Sequence, residues 1–244
     1  MRRETLAVGV VALAALAGSA NAQVLKFAGF EASEGYVLGD LFGQNGWTDT
    51  GDVANVTSAL AATGTRSVSI DSSPVASSSW WWPSVNYNTA TATNKTVVAS
   101  IDMYLKTGGT KSANWGLDCY DGAGSFGRVT AMWVNSGGLV NYWDGTTSVV
   151  SSTSVAYDAW NNLKITMDYV TKKASFALNG TTIASGVNFS AGVSNIFGDS
   201  DMNLQGAGFD TTFFDNYKVE AVPAPSALAL IGLGGLVAGR RRRA

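Results

Sequence analysis

Trp80-Trp81-Trp82-Pro83 is the densest aromatic run in the chain, and Tyr87 follows closely. Flat indole and phenol faces can stack on sugar rings, and exposed aromatic clusters mark binding surfaces. Successive side chains of a strand point to opposite faces, so three consecutive tryptophans cannot all enter one core. At least one of them is exposed or packed under a loop; the competing reading is loop packing that buries most of the indole area. Trp133, Tyr142 and Trp143 form a second aromatic set. Tyr142 and Trp143 must point in opposite directions, so only one of them can line a concave face. Trp80, Trp81, Trp82, Tyr87, Trp133 and Trp143 are therefore the candidate glycan contacts.

Other chemistry is excluded by what is missing. The chain has no histidine. That removes the usual general base at neutral pH, the Ser-His-Asp and Cys-His triads, and the zinc sites built on imidazole. Cys119 is alone, so no internal disulfide forms, and a buried strand position accounts for it. The acids are scattered as Asp102, Asp118, Asp144, Asp158 and Asp168, and no glutamate lies between Glu34 and Glu220. A glycosidase needs two carboxyl groups facing one cleft, and no such pair is visible in the spacing. Asp199-Ser200-Asp201 reads as an oxygen-rich loop, but its spacing does not fit an EF-hand. Between Gln23 and Glu220 there are ten Lys and Arg against seventeen Asp and Glu. Such an acidic body is a poor partner for nucleic acid or an anionic membrane.

The elements that must position these residues are strands. Val97, Ala99, Ile101, Met103 and Leu105 share one face of a run over 97–106. Trp115, Leu117 and Cys119 are in phase over 114–120, and Leu163, Ile165, Met167 and Tyr169 over 160–170. Asn179-Gly180 between 174–178 and 181–184 is the clearest hairpin, because Asn-Gly suits the positive φ angles of a two-residue turn. Further strands are expected at 25–30, 66–70, 126–134, 139–143, 146–150 and 213–219, while 51–62 is undecided between a helical turn and a strand. Roughly 11 or 12 strands joined by short turns, with no convincing amphipathic helix, predict an all-β sandwich.

The order of pieces resembles the concanavalin A-like, laminin-G-like jelly rolls. Phe30-Glu31 ends the first strand, Trp160 opens a strand leading to the Asn179-Gly180 hairpin, and Asp215-Asn216 lies in the last strand. The resemblance implies that the first and last strands pair and bring Glu31 near Asp215. Glu31, Asp215 and Asn216 then offer oxygen ligands to a structural Ca²⁺, the alternative being hydrogen bonds that tie strand ends together. Laminarinase-like members carry a Glu-x-Asp-x-x-Glu strand that is absent here. The family includes glycan-binding modules, hydrolases and adhesive domains, so the fold does not choose among them.

Both ends read as address labels. Arg2 and Arg3 precede an apolar stretch over 6–17, and Ala20-Asn21-Ala22 fits small-x-small cleavage. Residues 1–22 are expected to be a helical signal peptide, with the body at 23–220 and a tail at 221–244. In the tail, Val222, Pro223 and Pro225 precede an apolar run over 227–239 and the cluster Arg240, Arg241, Arg242 and Arg243. This order resembles the PEP-CTERM sorting signal of Gram-negative bacteria, with Ala224 where that family has Glu. The resemblance implies a short apolar helix inserted transiently in the inner membrane and an exosortase-like protease as partner. Delivery would be to the cell surface or an exopolysaccharide matrix. The expected function is a non-catalytic structural or adhesive component, with a calcium-dependent glycan-binding module as alternative and a glycoside hydrolase behind both.

Overall fold

Alternating apolar and polar residues, with few helix-forming runs, leave the chain little choice but strands. The computed structural model describes residues 22–50, 53–71, 78–85, 87, 95–106, 113–123, 127–205 and 211–222. In chain order the strands are β1 (Gln23–Ala28), β2 (Gly39–Asp40), β3 (Trp47–Asp49), β4 (Val53–Thr57), β5 (Ser67–Asp71), β6 (Ser78–Pro83), β7 (Thr96–Leu105) and β8 (Asn114–Asp121). They continue as β9 (Arg128–Val134), β10 (Leu139–Trp143), β11 (Ser148–Ser154), β12 (Trp160–Asp168), β13 (Lys173–Leu178), β14 (Thr181–Asn188), β15 (Phe197–Gln205) and β16 (Thr211–Val222). Among the described residues helix is confined to two 3₁₀ turns, Ala32–Glu34 and Gln44–Gly46.

The strands form two antiparallel sheets. The first runs β14-β13-β12-β7-β16-β5-β4-β2, with β1 also on β16; the second runs β11-β10-β9-β8-β15-β6-β3. This is an all-β sandwich. β7 and β12 are its most regular members: Val97, Ala99, Ile101, Met103 and Leu105 are buried, as are Leu163, Ile165 and Met167. Each of these buried Val, Ile, Leu and Met side chains contributes about 1.5–3 kcal/mol, and the smaller Ala99 less. The expected pairing of first and last strands is present, with Phe27 opposite Lys218 and Ala28 opposite Tyr217. The Tyr217 hydroxyl donates to the Ser200 carbonyl at 2.7 Å and so ties β16 of one sheet to β15 of the other.

Several expectations are corrected. The undecided stretch 51–62 contains strand β4. Asp199-Ser200-Asp201 is not a loop but the middle of β15, between β8 and β6. Val222, read as part of the tail motif, is the last residue of β16, opposite Thr96. Ala20, Pro223, Pro225 and Arg240 to Arg243 lie outside the described residues, as do the helices expected for the leader and the tail. Among the described residues no helix is long and apolar enough to cross a membrane.

Candidate functional site

Paired residues of an antiparallel ladder share a face, so the register shows what each face of the second sheet carries. One row runs Trp81, Met202, Leu117, Met132, Tyr142. It faces the other sheet: Trp81, Met202, Leu117 and Met132 are fully buried, and Tyr142 stacks on Phe176 of β13 at 5.0 Å between ring centroids. The outer face carries three rows. They are Trp80, Asn203, Gly116, Trp133 and Asn141; then Asp201, Asp118 and Ala131; then Asp199, Tyr120 and Arg128. A polar and aromatic outer face is ordinary for a solvated sheet, but this one is not fully solvated. Asp118 and Asn203 have no exposed surface and Asp201 is only 5% exposed.

Aromatic rings provide the cover. The Trp80 indole N–H donates to Asp118 Oδ2 at 3.3 Å, so from β6 it spans β15 to reach β8. Trp133 lies against Gly116, where a Cβ would sit 2.6 Å from Trp133 Cβ and 2.2 Å from the Met132 carbonyl oxygen. Only glycine lets the two strands approach so closely there. Asp118 Oδ2 also accepts from Arg128 Nη2 at 2.9 Å and from the Tyr120 hydroxyl at 3.2 Å. The Arg128 guanidinium lies 5.5 Å from the Trp143 ring centroid. Burial pushes the Asp118 carboxyl above the usual range, although Arg128 and the other donors pull against it.

Beside this paired acid lie two unpaired ones. Oδ1 of Asp199 and Oδ1 of Asp201 have no hydrogen-bond partner, and neither does either amide atom of Asn203. Among the described residues the ion pairs are Arg128–Asp118 and Lys218–Glu220, so neither acid has a cation of its own. Burial pushes the Asp199 carboxyl up to about 6. Burial, with the negative charges of Asp199 and Asp118, raises Asp201 well above the usual carboxylate range. These two acids line a cleft of about 260 Å³ with Trp82 and Tyr120. A neighbouring hollow of about 320 Å³ is lined by Thr50, Trp80, Trp82, Tyr120 and Asp201. The arrangement offers flat rings for stacking and buried oxygen acceptors at one place.

The aromatic candidates therefore separate by strand parity. Trp80 and Trp82 stand on the cleft side, Trp81 is wholly buried in the core, and Tyr87 is 1% exposed with its ring 5.0 Å from Phe197. Trp81 and Tyr87 are thus core residues rather than ligand contacts. Trp133 is 7% exposed and pairs with Gly116 across the ladder. Trp143 stands on the outer face, its indole N–H donating to Ser190 Oγ at 2.7 Å. Tyr120, Asp118, Asn203 and Arg128 were not singled out as site residues. Only the parity shared by Asp118 and Tyr120 on a strand whose other face is apolar signalled an outward pair.

Glu31, Asp215 and Asn216 do come together around one loop. Asp215 Oδ2 accepts the backbone N–H of Ala62 and Thr63 at 2.9 and 3.1 Å, and Oδ1 accepts that of Asn216. Glu31 accepts the N–H of Thr65 and Arg66 and the Thr65 hydroxyl. Asn216, at φ +50° in the bulge of β16, accepts from the Thr63 hydroxyl and donates to Asp102. Burial outweighs the donors and pushes the Asp215 carboxyl up to about 6. Calcium would need these same oxygens, and N–H dipoles already point at them. Among the described residues no group of three acid, His or Cys side chains is placed to hold a metal. The set fits a clamp on residues 62–66 and does not fit a calcium centre. Cys119 is buried, 3.9 Å from Ser200 Oγ, and burial pushes its thiol well above the usual range.

A wider groove of about 490 Å³ at the loops around Asp144, Lys172 and Ser190 has no unpaired acid among its described lining residues. Asp144 there is bonded to Thr146 and Thr147.

No family model and no curated protein matches the chain. Solved structures do share the fold. The carbohydrate esterase vb_24B_21 from Shiga toxin-encoding bacteriophage phi24B superposes with a TM-score of 0.61 at 17% identity, over 83% of this chain and 100% of that one. Cellulose induced protein Cip1 gives 0.57 at 13% identity, over 82% and 98%. The binding domain of Paraclostridial Mosquitocidal Protein 1 gives 0.53 at 12%, over 86% and 51%. At these identities the likeness is one of architecture: the chain is a two-sheet β-sandwich of jelly-roll type.

Proposed function

We propose that this chain is a non-catalytic glycan-binding sandwich that holds polysaccharide in the cleft on the outer face of its second sheet. The observation that carries this reading is the meeting of Trp82, Tyr120, Asp199 and Asp201 in one cleft, with the buried acceptors of both acids unpartnered. Sugar rings present an apolar face to the indoles and hydroxyl donors to the carboxylates. Support also comes from fold neighbours that bear carbohydrate-related names, an esterase and a cellulose-induced protein. The concanavalin A-like assignment belongs to the same proposal. The end sequences extend it: with a leader at 1–22 and a PEP-CTERM-like tail, the protein is exported through the inner membrane and processed by an exosortase-like protease. It then serves as an adhesive component of the cell surface or exopolysaccharide matrix.

A pull-down of the purified chain on a panel of insoluble polysaccharides tests the binding. Saturable retention that is lost in Trp82→Ala, with the fold intact by circular dichroism, supports it; no retention on any polysaccharide refutes it. A second reading is favoured by the pair itself. Two carboxyl groups on one face of one strand, one of them pushed up to about 6, have the makeup of an acid and base couple. New reducing ends released from a retained polysaccharide, and lost in Asp199→Asn, would move the protein into that class.

A further inference from the structure

Resting on the glycan-binding reading, we infer that the cleft takes a polysaccharide carrying free amino groups, a deacetylated amino-sugar polymer whose ammonium sits between Asp199 and Asp201 against Trp82 and Tyr120. Charge selects the ligand. Asp199 and Asp201 leave β15 on the same side, and Oδ1 of each is buried without a donor. The nearby cation, Arg128, is already committed to Asp118 and to the Trp143 ring. A neutral sugar would supply hydroxyl donors but would leave the negative charge of the pair uncompensated in a dehydrated site, which is costly. A sugar acid would add a further negative charge. Calcium would need six to eight oxygens, whereas two walls of this cleft are rings. An ammonium supplies three N–H donors and a positive charge, and the faces of Trp82 and Tyr120 attract a cation as well.

The pH dependence follows from the same competition. Tyr120 and Asp118 of β8 and Arg128 of β9 face Asp201 alongside Asp199, while β6 contributes Trp80 and Trp82, which do not titrate. A proton and an ammonium compete for the same pair of carboxyls. Affinity therefore falls as pH drops below about 6, where Asp199 takes up its proton. It also falls at high pH, where the amine loses its charge.

Isothermal titration of the purified full chain with three hexamers is the test: glucosamine, N-acetylglucosamine and cellohexaose. The expected result is glucosamine hexamer binding about tenfold or more tightly than either neutral hexamer. Asp199→Asn and Asp201→Asn each remove most of that preference, while Asp168→Asn on the first sheet, an equal change of net charge, leaves it intact. Millimolar calcium does not reproduce it. Equal affinity for all three hexamers overturns the inference and leaves the proposed function standing. Binding of none overturns the inference, and the polysaccharide panel then decides separately on the proposed function. An equal loss in Asp168→Asn means attraction of a polycation to an acidic surface and also overturns the inference.

Discussion

Asp199→Asn should make the protein more stable, and only above mildly acidic pH. The native carboxyl of Asp199 is pushed by burial from 3.8 to about 6, while in the unfolded chain it titrates near its ordinary value of about 3.9. Between those values the native state binds more protons than the unfolded state. Its stability therefore falls as pH rises from about 4 to about 6, and stays lower above that. The loss amounts to about 3 kcal/mol at about 1.4 kcal/mol per tenfold change in affinity for the proton. Asparagine has no charge to desolvate, so the variant should gain about 2–3 kcal/mol near pH 8 and nothing near pH 4. Asp201 adds in the same direction, because it loses a like-charged neighbour that raises its own carboxyl. Asp215, also pushed up to about 6, is present in both chains and cancels. Urea unfolding of both proteins across this pH range, at constant ionic strength, gives the difference directly. A gain that is the same at every pH, or a loss near pH 8, would refute the claim that the Asp199 carboxyl is desolvated with a buried, unpartnered Oδ1.

Trp81→Ala should cost about 3–5 kcal/mol as a cavity in the core, whereas Trp82→Ala should leave the unfolding midpoint nearly unchanged and lower glycan affinity about tenfold; denaturation and titration of both variants check this. Gly116→Ala should destabilise by about 1–3 kcal/mol or prevent folding, because its Cβ would meet the Met132 carbonyl oxygen at 2.2 Å; chemical denaturation measures it. Asp215→Ala should strand the N–H groups of Ala62, Thr63 and Asn216, at about 1–3 kcal/mol each where they stay dry. Hydrogen exchange should accelerate at 62–63 first, and adding calcium to the unaltered chain should change neither exchange nor stability.

The fold was legible wherever one face of a strand is apolar and the other polar. β7 and β12 alternate almost without a break, and the Asn179-Gly180 turn is fixed by φ angles of +50° and +79° that few residue pairs tolerate. The tryptophan run was legible as an alternation, but that Trp81 is the inward member, with Trp80 and Trp82 outward, follows only from its pairing with Met202 and its burial. What was not legible is β15. Its sequence, Phe197-Gly-Asp-Ser-Asp-Met-Asn-Leu-Gln205, reads as a polar loop because its outer residues are polar, and yet Asp201 and Asn203 among them are buried. Gly198 adds to the loop-like appearance, but it is there because a Cβ would meet the Asp121 carbonyl oxygen at 2.3 Å. Local pattern fails where polar groups are buried for a purpose, so the strand that was missed is the one that carries the cleft. The Glu31 and Asp215 pair was found, but residue type alone did not show that the N–H groups of 62–66 already occupy its oxygens.

The indole N–H resonances of the eight tryptophans, followed by NMR during titration with each oligosaccharide, show which rings meet the ligand. Trp80 and Trp82 should shift saturably with the oligosaccharide that binds, while Trp81 and Trp115 stay in place. A ligand that binds but leaves Trp80 and Trp82 unmoved would contradict binding in this cleft.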